Sequence, residues 1–262
     1  MTTSHSFAVL AHGDSPYLED CLRSLERQTV RSEVYISTST PSPFLERAAA
    51  GHGLPLHVRA GAPGMAADWS AAYALCRTPY LTLAHQDDRY HPRYAEACLA
   101  AAERRPDCLI AFTGYDELAG ARRVGWSVNL AIKRLIAALA FLGGRTIAAP
   151  WRKRALLAWG CAIPCPSVMF HKGLIGDFSF SPEYRVNLDW DAWARLAARP
   201  GAFRRVPGRL VTHRRHAASA TAAAIDAGRR QQEDLLMFRR FWPGPLAAAI
   251  ARLYALSLLG RR

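Results

Sequence analysis

Tyr80-Leu-Thr-Leu-Ala-His-Gln-Asp-Asp88 is an apolar run closed by two adjacent carboxylates. Tyr80–Ala84 predicts a buried strand, and the polar cluster His85–Asp88 lies directly after it. Neighbouring carboxylates repel each other unless a cation or basic groups stand between them. Oxygen donors in such a place suit Mg2+ or Mn2+ carrying phosphate oxygens. The alternative is a solvated loop in which Asp88 caps a turn ahead of Pro92.

Working outward, strand-like and helix-like segments alternate. Ser6–Ala11, Val34–Ser37, Leu56–Arg59 and Cys108–Thr113 read as strands. Met65–Cys76 and Pro92–Glu103 read as helices, as does the segment carrying Leu18, Cys21, Leu22 and Leu25, with Pro16 in its first turn and Asp14 or Ser15 as N-cap. This alternation predicts an α/β fold: an open, mostly parallel nucleotide-binding sheet with helices on both faces. Ligands of such sheets bind beyond the carboxyl ends of the strands. The clusters His12–Asp14, Ser37–Thr40 and His85–Asp88 all follow strands, so they should converge on one site.

Beyond residue 115 the regularity falls. Asn129–Leu142 and Leu188–Ala198 predict helices, Trp151–Pro166 is rich in Trp and Pro, and Phe203–His213 predicts a strand. Two helices, near Ala222–Phe241 and Leu246–Leu259, form a C-terminal extension. The simplest division is a catalytic domain over 1–221, with halves of about 1–115 and 116–221, followed by a helical extension over 222–262.

The formal net charge is +13, and arginine carries nearly all of it, since lysine occurs only at Lys133, Lys153 and Lys172. Arginine matches phosphate geometry, so anionic partners are expected. The arginines are dispersed and no nucleic-acid reader motif is present, which argues against nucleic acid. Cys21, Cys76, Cys98, Cys108, Cys161 and Cys165 contain no CxxC pair and read as buried free thiols. The apolar stretches Leu130–Leu142 and Leu246–Leu259 are shorter than the roughly 20 residues that span a bilayer. Each reads as a helix buried in the protein, in a dimer contact, or lying on an anionic membrane surface. The expected location is cytoplasmic or peripheral at the inner face of the cell membrane.

Four ordered segments carry a resemblance. Ala8–Thr29 ends in Ser24-Leu-Glu-Arg-Gln-Thr29, Gly64–Asp88 runs from helix through strand to the acidic motif, Asn187–Leu196 contains Asp189, and Thr212–Thr221 contains His213 and His216. Together they resemble the family 2 glycosyltransferases, inverting enzymes with a GT-A-type fold. The resemblance implies transfer of a sugar from a nucleotide-diphosphate sugar to an acceptor hydroxyl by metal-assisted single displacement. It further implies cell-surface glycan or glycolipid synthesis, with a glycan or lipid-linked acceptor.

Carried onto this sequence, the resemblance makes Asp189 the catalytic base. Asp87, Asp88 and His216 become metal ligands, and His12, Asp14, Ser37, Asp68, His85 and Asp87 contact the nucleotide. The sequence departs from the family at three points. His85 stands where the first acid of the motif is usual, Ser37-Thr-Ser-Thr40 replaces an acid after the second strand, and Ser70 replaces a frequent Asn. The donor base is therefore left open. Trp193 is favoured as a site neighbour, with Trp151, Trp159 and Trp190 as an aromatic wall or as core. Arg214, Arg215 and His216 form either a phosphate clamp or a solvated basic turn. The rival reading is a non-catalytic nucleotide-sugar or glycan-binding protein on the same fold.

Overall fold

A computed structural model describes residues 3–120, 122–124, 128–216 and 228–259. Its strands form one sheet around which the rest is arranged. The first half contributes β1 (His5–Ala11), β2 (Glu33–Thr38), β3 (Leu56–Val58), β4 (Tyr80–His85), β5 (Arg89–Tyr90) and β6 (Cys108–Ala119). The second half adds β7 (Arg122–Val124), β8 (Thr146–Ile147), β9 (Val168–His171) and β10 (Ala202–Arg215). The order is β3-β2-β1-β4-β9-β6-β10-β5, with β7 on β6 and β8 on β10. Six of the eight strands on that path run one way, whereas β9 and β5 oppose their neighbours.

Both faces of the sheet are covered, as side-chain alternation along the strands requires. Phe7 and Val9 of β1 join a core with α1 (Leu18–Glu26), α2 (Pro43–Gly51) and α4 (Tyr94–Glu103). Ala8 between them, with Leu81 and Leu83 of β4, joins the opposite core. There lie α3 (Met65–Leu75), α5 (Val128–Phe141), α6 (Pro150–Leu157) and α8 (Leu188–Ala197); α7 (Lys172–Ile175) is a single turn after β9. The C-terminal helices Arg229–Arg239 and Gly244–Leu259 insert Met237, Phe238, Ala247, Ile250 and Tyr254 into that second core. The expected helix start at Ala222 lies outside the described residues.

Several elements differ from the sequence reading. β9 sits between β4 and β6, antiparallel to both. Four residues are too few to reveal a period, and its partners are distant in sequence. Helix α1 begins at Leu18 rather than around Pro16; Ser15 accepts a bond from Tyr17 N–H (3.3 Å) and its hydroxyl donates elsewhere. Between β6 and β10 the register slips because Pro207 and Gly208 have no partners opposite. Gly208 adopts φ +93°, and a Cβ on Gly114 would lie 2.8 Å from Gly208 O, so both positions need glycine. All six cysteines are buried and unpaired.

Trp193 is fully buried; its indole donates to Ile163 O (2.9 Å) and its ring packs on Phe170. Trp190 is likewise fully buried and donates to Leu157 O (3.0 Å). The expectation of Trp193 as a site neighbour therefore fails. Its place on the helix lies on the side facing the sheet, where a large ring with one satisfied N–H packs well. Trp159 packs at a tilt on Trp242, ring centroids 4.7 Å apart, and Trp151 is exposed.

Candidate active site

A cavity of about 780 Å³ opens at the carboxyl ends of β1, β2 and β4. The residues that the resemblance made base, nucleotide contacts or metal ligands all line it: His12, Asp14, Ser37, Asp68, His85, Asp87, Asp88, Asp189 and His216. Convergence follows from parallel strands delivering successive loops to one edge.

One wall is the acidic motif. Ser15 donates to Asp87 Oδ1 (2.6 Å), and His216 Nε2 donates to Asp87 Oδ2 (2.9 Å). The neighbouring carboxylate turns inward. Asp88 is 1% exposed and accepts from His213 Nδ1 (2.9 Å) and from Arg214 N–H (2.9 Å). Burial acts to raise its pKa, but His213 and the Arg214 amide hold it below the ordinary carboxylate range. Asp88 thus anchors the loop, while Asp87 carries the cavity-facing oxygens.

Arg214 is buried rather than part of a solvated turn. Its Nε donates to Asp87 O (3.1 Å), its Nη2 reaches Asp20 (2.9 Å), and its guanidinium lies over the Tyr17 ring. Arg215 pairs with Glu117 at 3.4 Å.

The loops after β1 and β2 are tied to this wall. The Gln86 side-chain amide exchanges two bonds with the His12 backbone (3.0 and 3.2 Å). Asp14 accepts from Ser42 Oγ (2.5 Å). Asp68 accepts from Arg59 Nε (2.7 Å), Ser39 Oγ (2.9 Å) and Gly64 N–H (3.2 Å), which fixes the start of α3. Ser70 accepts from Phe180 N–H (2.8 Å), so a small hydroxyl here pins the loop ahead of α8. His85 packs on Trp69, and its buried Nε2 has no hydrogen-bond partner among the described residues; burial lowers its pKa.

The opposite wall is the start of α8. Asp189 accepts from Trp190 N–H (2.7 Å). Burial pushes its pKa above the usual carboxylate range, against the pull of that bond and of Lys133 and Arg230. Asp191, two residues on, faces away and is held by Arg240 (2.5 Å) and Arg195 (2.8 Å). The geometry therefore brings Asp189, and not Asp191, to the cavity.

Some lining residues went unrecognised in the sequence. Lys133 comes from α5, Glu117 from the extended end of β6, and Arg230 from the helix Arg229–Arg239. That helix also positions the wall. Glu233 accepts from the backbone N–H groups of Arg185, Val186 and Asn187 (2.9–3.0 Å), and Asp234 accepts from Asn187 Nδ2 (2.8 Å). The adjacent acids in Gln231-Gln-Glu-Asp234 were the available signal.

Among the described residues no group of three His, Cys, Asp or Glu side chains forms a metal cage. Asp87 with His216 nevertheless fits a divalent cation, because one carboxylate and one imidazole leave positions for phosphate oxygens and water.

No family model matches the sequence, and no curated protein does. Solved structures do match. S. aureus TarS 1–349 in complex with UDP-GlcNAc superposes with a TM-score of 0.63 at 12% identity, covering 98% of this chain and 73% of that one. Glucosyl-3-phosphoglycerate synthase from Mycobacterium tuberculosis, in complex with Mn2+, UDP and glucosyl-3-phosphoglycerate, gives 0.60 at 15% identity, covering 92% and 81%. The chain has a GT-A-type fold. The α/β expectation, a mostly parallel sheet covered on both faces, holds.

Proposed function

We propose that this chain is a nucleotide-sugar-dependent glycosyltransferase acting with inversion. The observation that carries the reading is that Asp87 with His216, and Asp189, line one cavity at the strand ends of a GT-A-type fold. The two structures named above hold a UDP-sugar in one case and UDP with Mn2+ in the other, which supports a similar donor here.

The chemistry requires two opposed functions. A sugar hydroxyl is a poor nucleophile, and Asp189, its pKa raised by burial, accepts its proton. The hydroxyl oxygen attacks the anomeric carbon, the bond to the diphosphate oxygen breaks, and its electron pair leaves with the nucleoside diphosphate. One such in-line displacement inverts the anomeric centre. Asp87 and His216 would hold a divalent cation, Mg2+ or Mn2+, whose charge stabilises the leaving diphosphate. Asp88 keeps the loop in place, and Arg214 adds positive charge at that wall. His12, Asp14, Ser37, Asp68 and His85 border the nucleotide. His85 Nε2, without a hydrogen-bond partner among the described residues, is available for a ligand hydrogen bond.

The acceptor is read as a glycan or lipid-linked hydroxyl, with the enzyme resting on a membrane surface. Helix α5 supports this: it brings Lys133 to the cavity while Leu135 and Leu139 are 58% and 63% exposed. Leu253 and Leu256 of the C-terminal helix are 68% and 61% exposed. No helix among the described residues is long and apolar enough to cross a membrane.

Thermal stabilisation by a panel of nucleoside diphosphates and nucleotide sugars, with and without Mn2+, tests the proposal. Stabilisation by at least one nucleotide sugar, strengthened by Mn2+, is expected. Turnover of that sugar separates an enzyme from a binding protein. A flat panel would overturn the reading.

A further inference from the structure

A second pocket lies away from the cavity and shares none of its lining residues. It occupies a notch in the sheet edge. The outer edge of β10 pairs with β8 at Phe203–Arg204 and with β5 at Val211–Thr212. Between these two short strands, Pro207-Gly208 bulges and the edge is bridged by Arg205 N–H to Arg145 O (2.8 Å) and His91 N–H to Leu210 O (2.9 Å). The space left is about 320 Å³.

Five arginines and a histidine are among the residues that line it: Arg93, Arg104, Arg145, Arg204, Arg205 and His91. Among the described residues no carboxylate does. Arg204 is on the α4 face of β10, with Val206, whereas Arg205 contributes from the strand itself. Of the five arginines, only Arg93 has an ion pair among the described residues, with Glu96 at 3.2 Å. Arg204 donates from Nη1 to Thr146 Oγ1 (2.9 Å), while its Nε is buried with no hydrogen-bond partner among the described residues. The floor is built from alanines on one face of α4, which leaves room for a ligand between the arginines.

A buried N–H without an acceptor costs free energy, and a bound anion supplies that acceptor. Arginine forks match phosphate oxygens bidentately. We propose that this notch binds a phosphorylated ligand through its phosphate group. The site needs no metal, and the inference does not rest on the glycosyltransferase reading.

Inorganic pyrophosphate is the probe, titrated calorimetrically in EDTA at fixed ionic strength. The wild-type chain, an Arg104→Glu/Arg145→Glu variant and an Asp87→Ala variant are compared. Both reversed arginines are exposed, so the fold should persist, as a melting curve would show. Wild-type chain and Asp87→Ala should bind alike, and the double reversal should lose at least about tenfold in affinity. Arg204→Lys, which keeps charge without the fork, should fall between them. Displacement of the chain from phosphatidic acid vesicles by pyrophosphate would assign the group to a lipid headgroup. Absence of vesicle binding would assign it to a soluble phosphate. No binding by the wild-type chain, or equal binding by the double reversal, would overturn the proposal.

Discussion

Asp87 and His216 stand 129 residues apart in the chain and meet at 2.9 Å. The link is β5. After Asp88 the chain pairs Arg89 and Tyr90 with Thr212 and Val211 of β10, and so carries the acidic motif to the end of the last strand. His213 and Arg214 then fasten Asp88, leaving Asp87 beside His216. The proposed function gives this carboxylate and imidazole to a phosphate-bound cation.

Asp189→Asn separates proton acceptance from the bond to Trp190 N–H in the first turn of α8. Asparagine accepts the Trp190 N–H nearly as well but takes no proton. The transfer rate should fall about 10²–10⁴-fold with donor affinity unchanged. Burial raises the pKa of this carboxyl, so the folded state disfavours its charge. The contribution of this group to stability is therefore present in acid and is lost as pH rises above the ordinary carboxylate pKa. The melting temperature of the variant should equal or exceed that of the wild type at neutral pH, the gap closing in acid. Asp191→Asn should instead lower stability, since two arginines lose their partner. A normal rate in Asp189→Asn with a lost rate in Asp191→Asn would move the base to the other carboxylate.

Glu233 tests how the site is positioned. Its carboxylate satisfies three backbone N–H groups just before α8. Glu233→Ala should cost about 1–3 kcal/mol and lower the melting temperature by several degrees. It should also lower kcat more than donor affinity, because the Asp189 wall shifts while the Asp87 wall does not. Glu233→Gln, which keeps one acceptor oxygen, should recover part of both losses.

His5 supplies a pH signature of folding. It is fully buried and bonded to Ser32 (2.9 Å) and Thr82 (3.0 Å), and burial pushes its pKa down to about 3. The unfolded chain binds this proton near the ordinary value of about 6.5, and the folded chain does not. Stability from this group is present above that value and is lost as pH falls toward 3. The slope reaches at most about 1.4 kcal/mol per pH unit. His5→Gln should flatten the dependence of stability on pH by about one proton over that range. An unchanged slope in urea titrations would show that the buried ring is not the acid-sensitive group.

Much of this was legible in the sequence because parallel sheets write themselves locally. Apolar runs ending in polar clusters gave β1, β2 and β4, and the strand-end rule gathered His12, Ser37 and Asp87 on one cavity. What escaped was non-local. β9 and β5 are two to four residues long and owe their existence to distant partners. Trp193 was misread because a helix position does not say which face meets the sheet. Arg230 and Lys133 reach the cavity through tertiary packing, and no spacing near Asp189 announces them.

The exposed leucines bear on the membrane proposal. Leu253→Ser/Leu256→Ser alters side chains that are mostly in solvent, so stability should change little. Co-sedimentation with vesicles containing anionic lipid should drop several-fold relative to the wild type, and added salt should weaken the wild-type binding. Equal sedimentation of the two chains would remove this helix from the account.

The central claim is that Asp87 and its cavity hold a metal-bound nucleoside diphosphate. Calorimetric titration of UDP and the other nucleoside diphosphates into the wild-type and Asp87→Ala chains, in Mn2+ and again in EDTA, tests it directly. At least one diphosphate should bind the wild type in Mn2+ and weaken by tenfold or more both in EDTA and on substitution. Equal affinity in the wild-type and Asp87→Ala chains would contradict the claim.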